Sequence, residues 1–235
     1  IQVGKLSGAY CLAEAVDVGG EGKCDLFVAG QGGDRLFRWN GKGFDDVTHK
    51  HGLAANSLAS AWGDFTGDGM LDLASWDGKT LSVHAQQADG TFKPSAVSGA
   101  DEALKDGCLY LTTVDSGNKG RPALLAATKA SPVLITVQPD VSAQTKVLVT
   151  GEFLGKDLGE AGQCLAADFD GDAKTDIVQL FRQGGLFYKG KGPGEFETPV
   201  KTQVTFGRGR SSACLGDYDA NGLLDILVAS EERYH

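Results

Sequence analysis

The chain has 235 residues, 41% of them hydrophobic, which is enough to bury a core and argues against a disordered segment. Its 22 Lys and Arg against 31 Asp and Glu give a net charge of −9, which would repel a nucleic-acid backbone or an anionic membrane surface. No apolar run reaches the length of a membrane-spanning helix, so no membrane insertion is expected. The chain begins at Ile1 without Met, so a leader or other segment is expected to have been removed.

In chain order, one pattern returns five times: an apolar run, a cluster of Asp, and a second apolar run. The copies are AVDVGGEGKCDLFVA at 15–29, WGDFTGDGMLDLASW at 62–76, TVDSGNKGRPALLAA at 113–127, AADFDGDAKTDIVQL at 166–180 and LGDYDANGLLDILVA at 215–229. Their leading residues, Asp17, Asp64, Asp115, Asp168 and Asp217, are 47, 51, 53 and 49 residues apart, the length of a four-stranded propeller blade with its loops. After three of the clusters come strand-like segments, DRLFRWN at 34–40, KTLSVHAQ at 79–86 and GGLFYKG at 184–190. Each is followed by a glycine turn ending in Phe: NGKGF at 40–44, ADGTF at 88–92 and GPGEF at 192–196. These turns are expected between the third and fourth strands of a blade. Only DEALKD at 101–106 could form a helical turn, and a loop suits it equally. The 34 Gly against 6 Pro fit many tight turns. The expected fold is all-β, a β-propeller of about five four-stranded antiparallel blades or part of a larger one, with residues 1–235 forming one domain.

The Asp clusters carry the chemistry. In the fourth copy Asp168, Asp170, Asp172 and Asp176 stand at positions 1, 3, 5 and 9, with the Lys174 carbonyl at position 7. That spacing lets several oxygens converge on one hard cation, and calcium accepts such irregular ligand sets better than magnesium does. The fifth copy offers Asp217, Asp219, Asn221, the Leu223 carbonyl and Asp225. The second offers Asp64, Thr66, Asp68, the Met70 carbonyl and Asp72, and the first keeps Asp17, Glu21 and Asp25 but has Gly19 at position 3. Three calcium sites are expected, with the first copy as a fourth candidate. The third copy has Asp115, Gly117, Lys119 and Ala123 at these positions and is expected to bind no metal, with Lys119 neutralising Asp115. The competing reading is a set of Asp-Gly turns whose carboxylates bond their own backbone. Four carboxylates within nine residues repel one another without a cation, which favours calcium for the fourth and fifth copies.

At these residues the sequence resembles the FG-GAP repeats of integrin α-chain propellers and the VCBS repeats of bacterial surface and secreted proteins. The resemblance covers essentially the whole chain. It rests on D-x-D-x-D/N-x-x-x-D loops, on the G-x-G-x-F turns, on NGKGFDDVTHKHGL at 40–53, and on the partial signature Phe206-Gly207 ahead of Ala213 and Gly216-Asp217. It implies that each Asp loop joins the two innermost strands of a blade and that calcium rigidifies this hairpin. It also implies a protein or glycan as ligand and a secreted, periplasmic or cell-surface location. Family propellers commonly have seven blades, so an incomplete ring would have an edge through which chains associate. Ile1–Lys5 could supply an outer strand to the last blade.

Other residues are read as structural. Trp62 is expected in the core between blades, while Trp39 and Trp76 at strand ends are the better candidates for exposed platforms. His49, His51 and His84 show no metal-ligand or catalytic pattern and are expected at the surface, so no enzymatic site is expected. Lys189, Lys191, Arg208 and Arg210 form a basic group that an acidic glycan could use. The five Cys lack paired spacing; Cys164 and Cys214 are expected as small buried hydrophobes rather than a bridge, and Cys11–Cys24 is the pairing to test first.

Overall fold

The computed structural model describes residues 10–30, 32–118, 120–129, 131–148, 157–204 and 211–230. It is all-β, and the described residues contain no helix; 101–106 forms consecutive turns. Ile1–Lys5, Lys119, Phe206–Gly207, Arg208 and Arg210 lie outside the described residues. The chain divides into two compact units, residues 1–108 with 137–144, and residues 109–136 with 145–235.

The first unit holds two antiparallel, up-and-down sheets. One is β1 (Tyr10–Val16), β2 (Asp25–Gly30), β3 (Arg35–Trp39) and β4 (Phe44–Asp46); the other is β5 (Ala59–Gly63), β6 (Asp72–Trp76), β7 (Leu81–Gln86) and β8 (Phe92–Ala96). Strand order follows chain order, and the first strand of one sheet lies beside the first strand of the other, as in successive propeller blades. Trp62 on β5 fills the seam: its ring meets Phe27 of the neighbouring sheet edge-on at 5.1 Å and Phe92 at 5.8 Å, with Leu36 and Leu73 closing the cluster. A buried Asp34 fastens the connection between the sheets, accepting hydrogen bonds from the Gly30 and Ser57 amides and from the Ser57 hydroxyl. The NGKGF and ADGTF turns join third to fourth strands as expected; in the first, the Asn40 Oδ1 accepts from the amides of Lys42 and Gly43.

The second unit contains β9 (Tyr110–Asn118), β10 (Arg121–Ala127), β11 (Val133–Val137) and β12 (Ala143–Val147), whose connecting turn at 137–144 is grouped with the first unit. Next come β13 (Ala161–Ala167), β14 (Asp176–Phe181) and β15 (Gly184–Tyr188). A small ribbon, β16 (Gly190–Gly192) with β17 (Glu195–Phe196), precedes the outer strand β18 (Val200–Thr202), which pairs with β15. The GPGEF turn therefore closes this ribbon and not the third-to-fourth strand junction of its blade. The fifth copy contributes the hairpin β19 (Ser211–Gly216) and β20 (Asp225–Ser230). The strands β9, β13 and β19 follow one another as neighbours, and Leu125, Cys164, Ile177, Phe181, Leu186 and Tyr188 make a core between the first two of these blades. Gly190 is required where it stands: an added Cβ would collide with the Thr175 carbonyl oxygen.

Several expectations are corrected. Trp76 is buried, because every residue of β6 is covered, and only Trp39 is exposed, at 43%, with its ring edge against Phe44. His51 and His84 are buried, the former with Nδ1 against the Gly90 carbonyl at 2.6 Å; His49 alone of the three is exposed. Cys164 is fully buried as expected, but Cys214 is exposed with its Sγ 3.2 Å from the Tyr218 hydroxyl. Cys24, Cys164 and Cys214 form no disulfide, so neither considered bridge forms.

The buried His84 has a testable consequence. Burial lowers its pKa from 6.5, the Asp34 charge opposes this only in part, and its Nδ1 has no hydrogen-bond partner. The unfolded imidazole takes up a proton near pH 6.5 while the folded one resists, so stability present above that pH is lost on acidification. Between pH 7 and 5 the unfolding free energy should fall with a slope of at most ~1.4 kcal/mol per pH unit from this group, and His84→Gln should flatten the slope in urea titrations.

Candidate metal centre

The Asp clusters of the first, second, fourth and fifth copies form the loop between the first and second strands of their blades, as expected, whereas Asp115 of the third lies within β9. The leading Asp folds the loop by accepting from amides four and five residues on. Asp17 accepts from Glu21 and Gly22, Asp64 from Asp68 and Gly69, Asp168 from Asp172 and Ala173, and Asp217 from Asn221 and Gly222. This geometry requires left-handed backbone at positions 4 and 6. Glycine supplies it at Gly20, Gly22, Gly67 and Gly69, but Ala173 and Ala220 adopt it with φ of 62° and 58°.

The ninth residue ties the loop to the sheet. Asp176, fully buried, accepts from the Phe169 amide at 3.1 Å and, with its other oxygen, from the Gly190 amide at 2.7 Å. Asp72 repeats this with the amides of Phe65, Thr66 and Gln86 at 2.9–3.0 Å, and Asp225 accepts from the Tyr218 amide. Burial pushes the Asp72 carboxyl above its usual range, and those three amides pull it back in part.

Two loops bring three carboxylates together. One oxygen each from Asp168, Asp170 and Asp176 lie within 4.8 Å of one another, and so do those of Asp217, Asp219 and Asp225. Calcium–oxygen distances of about 2.3–2.6 Å place ligands on opposite sides of one ion about 5 Å apart, so both trios fit a single calcium, as their all-oxygen chemistry also does. Asp172 stands aside, 3.1 Å from the Lys174 ammonium, whose hydrogen bond draws its pKa below the usual range. Among the described residues the first and second copies form no such trio. Asp25 is instead gripped by the Arg38 guanidinium through bonds of 3.0 and 2.8 Å, above a cleft of about 100 Å³ lined by Asp17, Glu21, Lys23, Cys24 and Trp39. In the third copy Asp115 accepts from the Gly117 amide at 2.7 Å.

Sequence reasoning missed Arg38, Lys189 and Gln86 as parts of these loops. Lys189, read as a free basic residue, is ion-paired with Asp170 and lies 3.4 Å from Asp172; the Asp170 hydrogen bond raises its pKa. Gln86 joins the first two blades, since its amide bonds Asp72 and its Nε2 donates to the Val18 carbonyl at 3.0 Å.

A family model described as the FG-GAP-like repeat matches residues 17–75 and 161–228, together more than half of the chain. No curated protein sequence matches it significantly. Among solved structures, an Agrocybe aegerita lectin that recognises non-reducing terminal N-acetylglucosamine is similar, with a TM-score of 0.65 and 20% identity over 92% of this chain. BBS1N, solved in complex with ARL6DN, is similar with a TM-score of 0.50 and 13% identity over 84% of this chain. This chain spans 60% of the lectin's length and 55% of BBS1N's. At these identities the likeness is one of fold.

Two substitutions separate the scaffold roles of the loops from metal binding. Asp72→Ala removes the acceptor of three amides and should cost about 2–4 kcal/mol in urea unfolding even in chelator, where no ion is bound. Ala173→Gly relieves left-handed strain and should stabilise by roughly 0.5–1 kcal/mol, read as a rise in melting temperature.

Proposed function

The chain belongs to the FG-GAP-like repeat family, and we propose that residues 1–235 act as one calcium-stabilised propeller domain that binds a protein partner, without catalysis of its own. The observation that carries this reading is the convergence of the Asp168/Asp170/Asp176 and Asp217/Asp219/Asp225 oxygens at calcium spacing. Asp172, Asn221 and the Lys174 and Leu223 carbonyls complete the two ligand sets. The second loop, with Asp64, Thr66, Asp68, the Met70 carbonyl and Asp72, takes a weaker third ion once Asp68 turns inward. Bound calcium would cancel the repulsion among the carboxylates and hold the inner hairpin of each blade, leaving loops and blade faces free for recognition. Ion availability suits a secreted, periplasmic or cell-surface setting; no helix among the described residues is long and apolar enough to cross a membrane.

A lectin-like role is the second reading. It is favoured by Trp39, whose exposed ring is fixed against Phe44 beside the polar cleft of the first loop, as a sugar-stacking platform would be. A glycan array set beside a pull-down with purified candidate proteins separates the two readings.

Thermal unfolding tests the metal. Calcium at a hundredfold excess over its dissociation constant should stabilise by about 2.7 kcal/mol per site, magnesium should do much less, and both Asp170→Ala and Asp219→Ala should shrink the calcium shift. Identical curves in calcium, magnesium and chelator would reduce the loops to metal-free Asp turns.

A further inference from the structure

The pairing of second and third strands places one particular residue opposite the ninth position of each loop. Leu26 pairs with Phe37, Leu73 with His84, Leu124 with Ile135 and Ile177 with Tyr188. One step further along each ladder, Asp25 faces Arg38, Asp72 faces Ala85, Ala123 faces Thr136 and Asp176 faces Lys189. The spacing is 13 residues in every case. Where the position is basic, its side chain lies on the acids of its own loop: Arg38 on Asp25, and Lys189 on Asp170 and Asp172. In the second blade it is Ala85, and there is no tethered cation. In the third it is Thr136, opposite a copy that keeps only Asp115 of the acids.

We propose that this third-strand position is a tethered counter-ion site, where a basic side chain neutralises its blade's loop and competes with a bound divalent cation, thereby setting how far each loop depends on metal. In the first blade the replacement is permanent. Arg38 binds the buried Asp25 through two parallel bonds, a geometry that a planar guanidinium holds well, and Gly19 leaves the loop without its third-position carboxylate. The fourth blade is different, because Lys189 is a single ammonium at a partly exposed site and the trio of Asp168, Asp170 and Asp176 stays converged beside it. Such a pair is weak enough to yield to a divalent ion, yet a calcium ion must displace it to reach Asp170. The competition rests on the calcium reading above; the neutralisation by Arg38 does not.

The fourth loop can be isolated in the full chain by Asp68→Ala with Asp219→Ala, which remove outlying carboxylates from the second and fifth loops. Calorimetric titration of this parent with calcium chloride should show one site, and adding Lys189→Met should tighten it roughly tenfold by removing a positive charge at contact distance. Lys191→Met, which removes an equal charge from an exposed position two residues on, should change the affinity by less than about twofold. Equal affinity in the parent and the Lys189→Met variant would overturn the competition while leaving the calcium reading intact, as would an equal gain from Lys191→Met. A parent and variant that both fail to bind calcium would overturn competition and calcium reading together. The Arg38 half has its own readout: in chelator, Arg38→Met should lower the melting temperature by roughly 5 °C or more, because it strands the Asp25 charge, and calcium should not restore it. An unchanged melting temperature, or full rescue by calcium, would overturn it.

Discussion

In the second, fourth and fifth repeats the inner hairpin hangs on two carboxylates that accept backbone N–H groups. The first-position Asp draws the loop into a tight coil, and the ninth-position Asp bolts it to the neighbouring strands, as Asp176 does through the amides of Phe169 and Gly190. These bonds satisfy amides that a short loop could not otherwise pair, but they concentrate negative charge at one end of the blade. That charge needs a partner, and much of what distinguishes the repeats is how each one finds it.

Three solutions coexist in one chain. The first blade uses an internal guanidinium on Asp25; the fourth has both a converged carboxylate trio and an ammonium close by; the third keeps only Asp115 of the acids and continues strand pairing from Asp115–Pro122 out to Asn118–Arg121. The strand pairing of the first and third blades is thus built without a converged carboxylate trio. What the acidic loops add is a rigid end to the hairpin, and the Ala residues at left-handed φ in the fourth and fifth loops show that this shape is held even where the residue type disfavours it.

The architecture was legible in the sequence because repeats multiply a weak signal. A single Asp-rich turn between apolar runs is ambiguous, but five at near-constant spacing announce blades, and the loops do fall between first and second strands. The position of Trp62 was legible too, since a large ring just before an acidic loop has a seam to fill. Trp76, His51 and His84 were misread because exposure was inferred from neighbouring polar residues along the chain, whereas burial here is decided by strands lying on either side. The GPGEF turn was misplaced because its blade carries an added ribbon, β16–β17, before the outer strand. Arg38 and Lys189 escaped notice for a related reason: their partners lie across a strand pair, and only the register shows that 13 residues of sequence become one step across the sheet.

That register also bears on how such a scaffold can vary. The residue facing the ninth loop position lies at the edge of the core, where Arg, Ala, Thr and Lys all occur without disturbing strand pairing. The strand's packing is carried by its inward residues, such as Leu36, Phe37, Leu186 and Tyr188, which are buried in their blades. Loop charge balance can thus change by one substitution at a position the core does not constrain, while the acids that shape the loop backbone remain. Under the proposed counter-ion role, metal dependence in a repeat of this kind is separable from its fold, and the separation is made by the third strand and not by the loop alone.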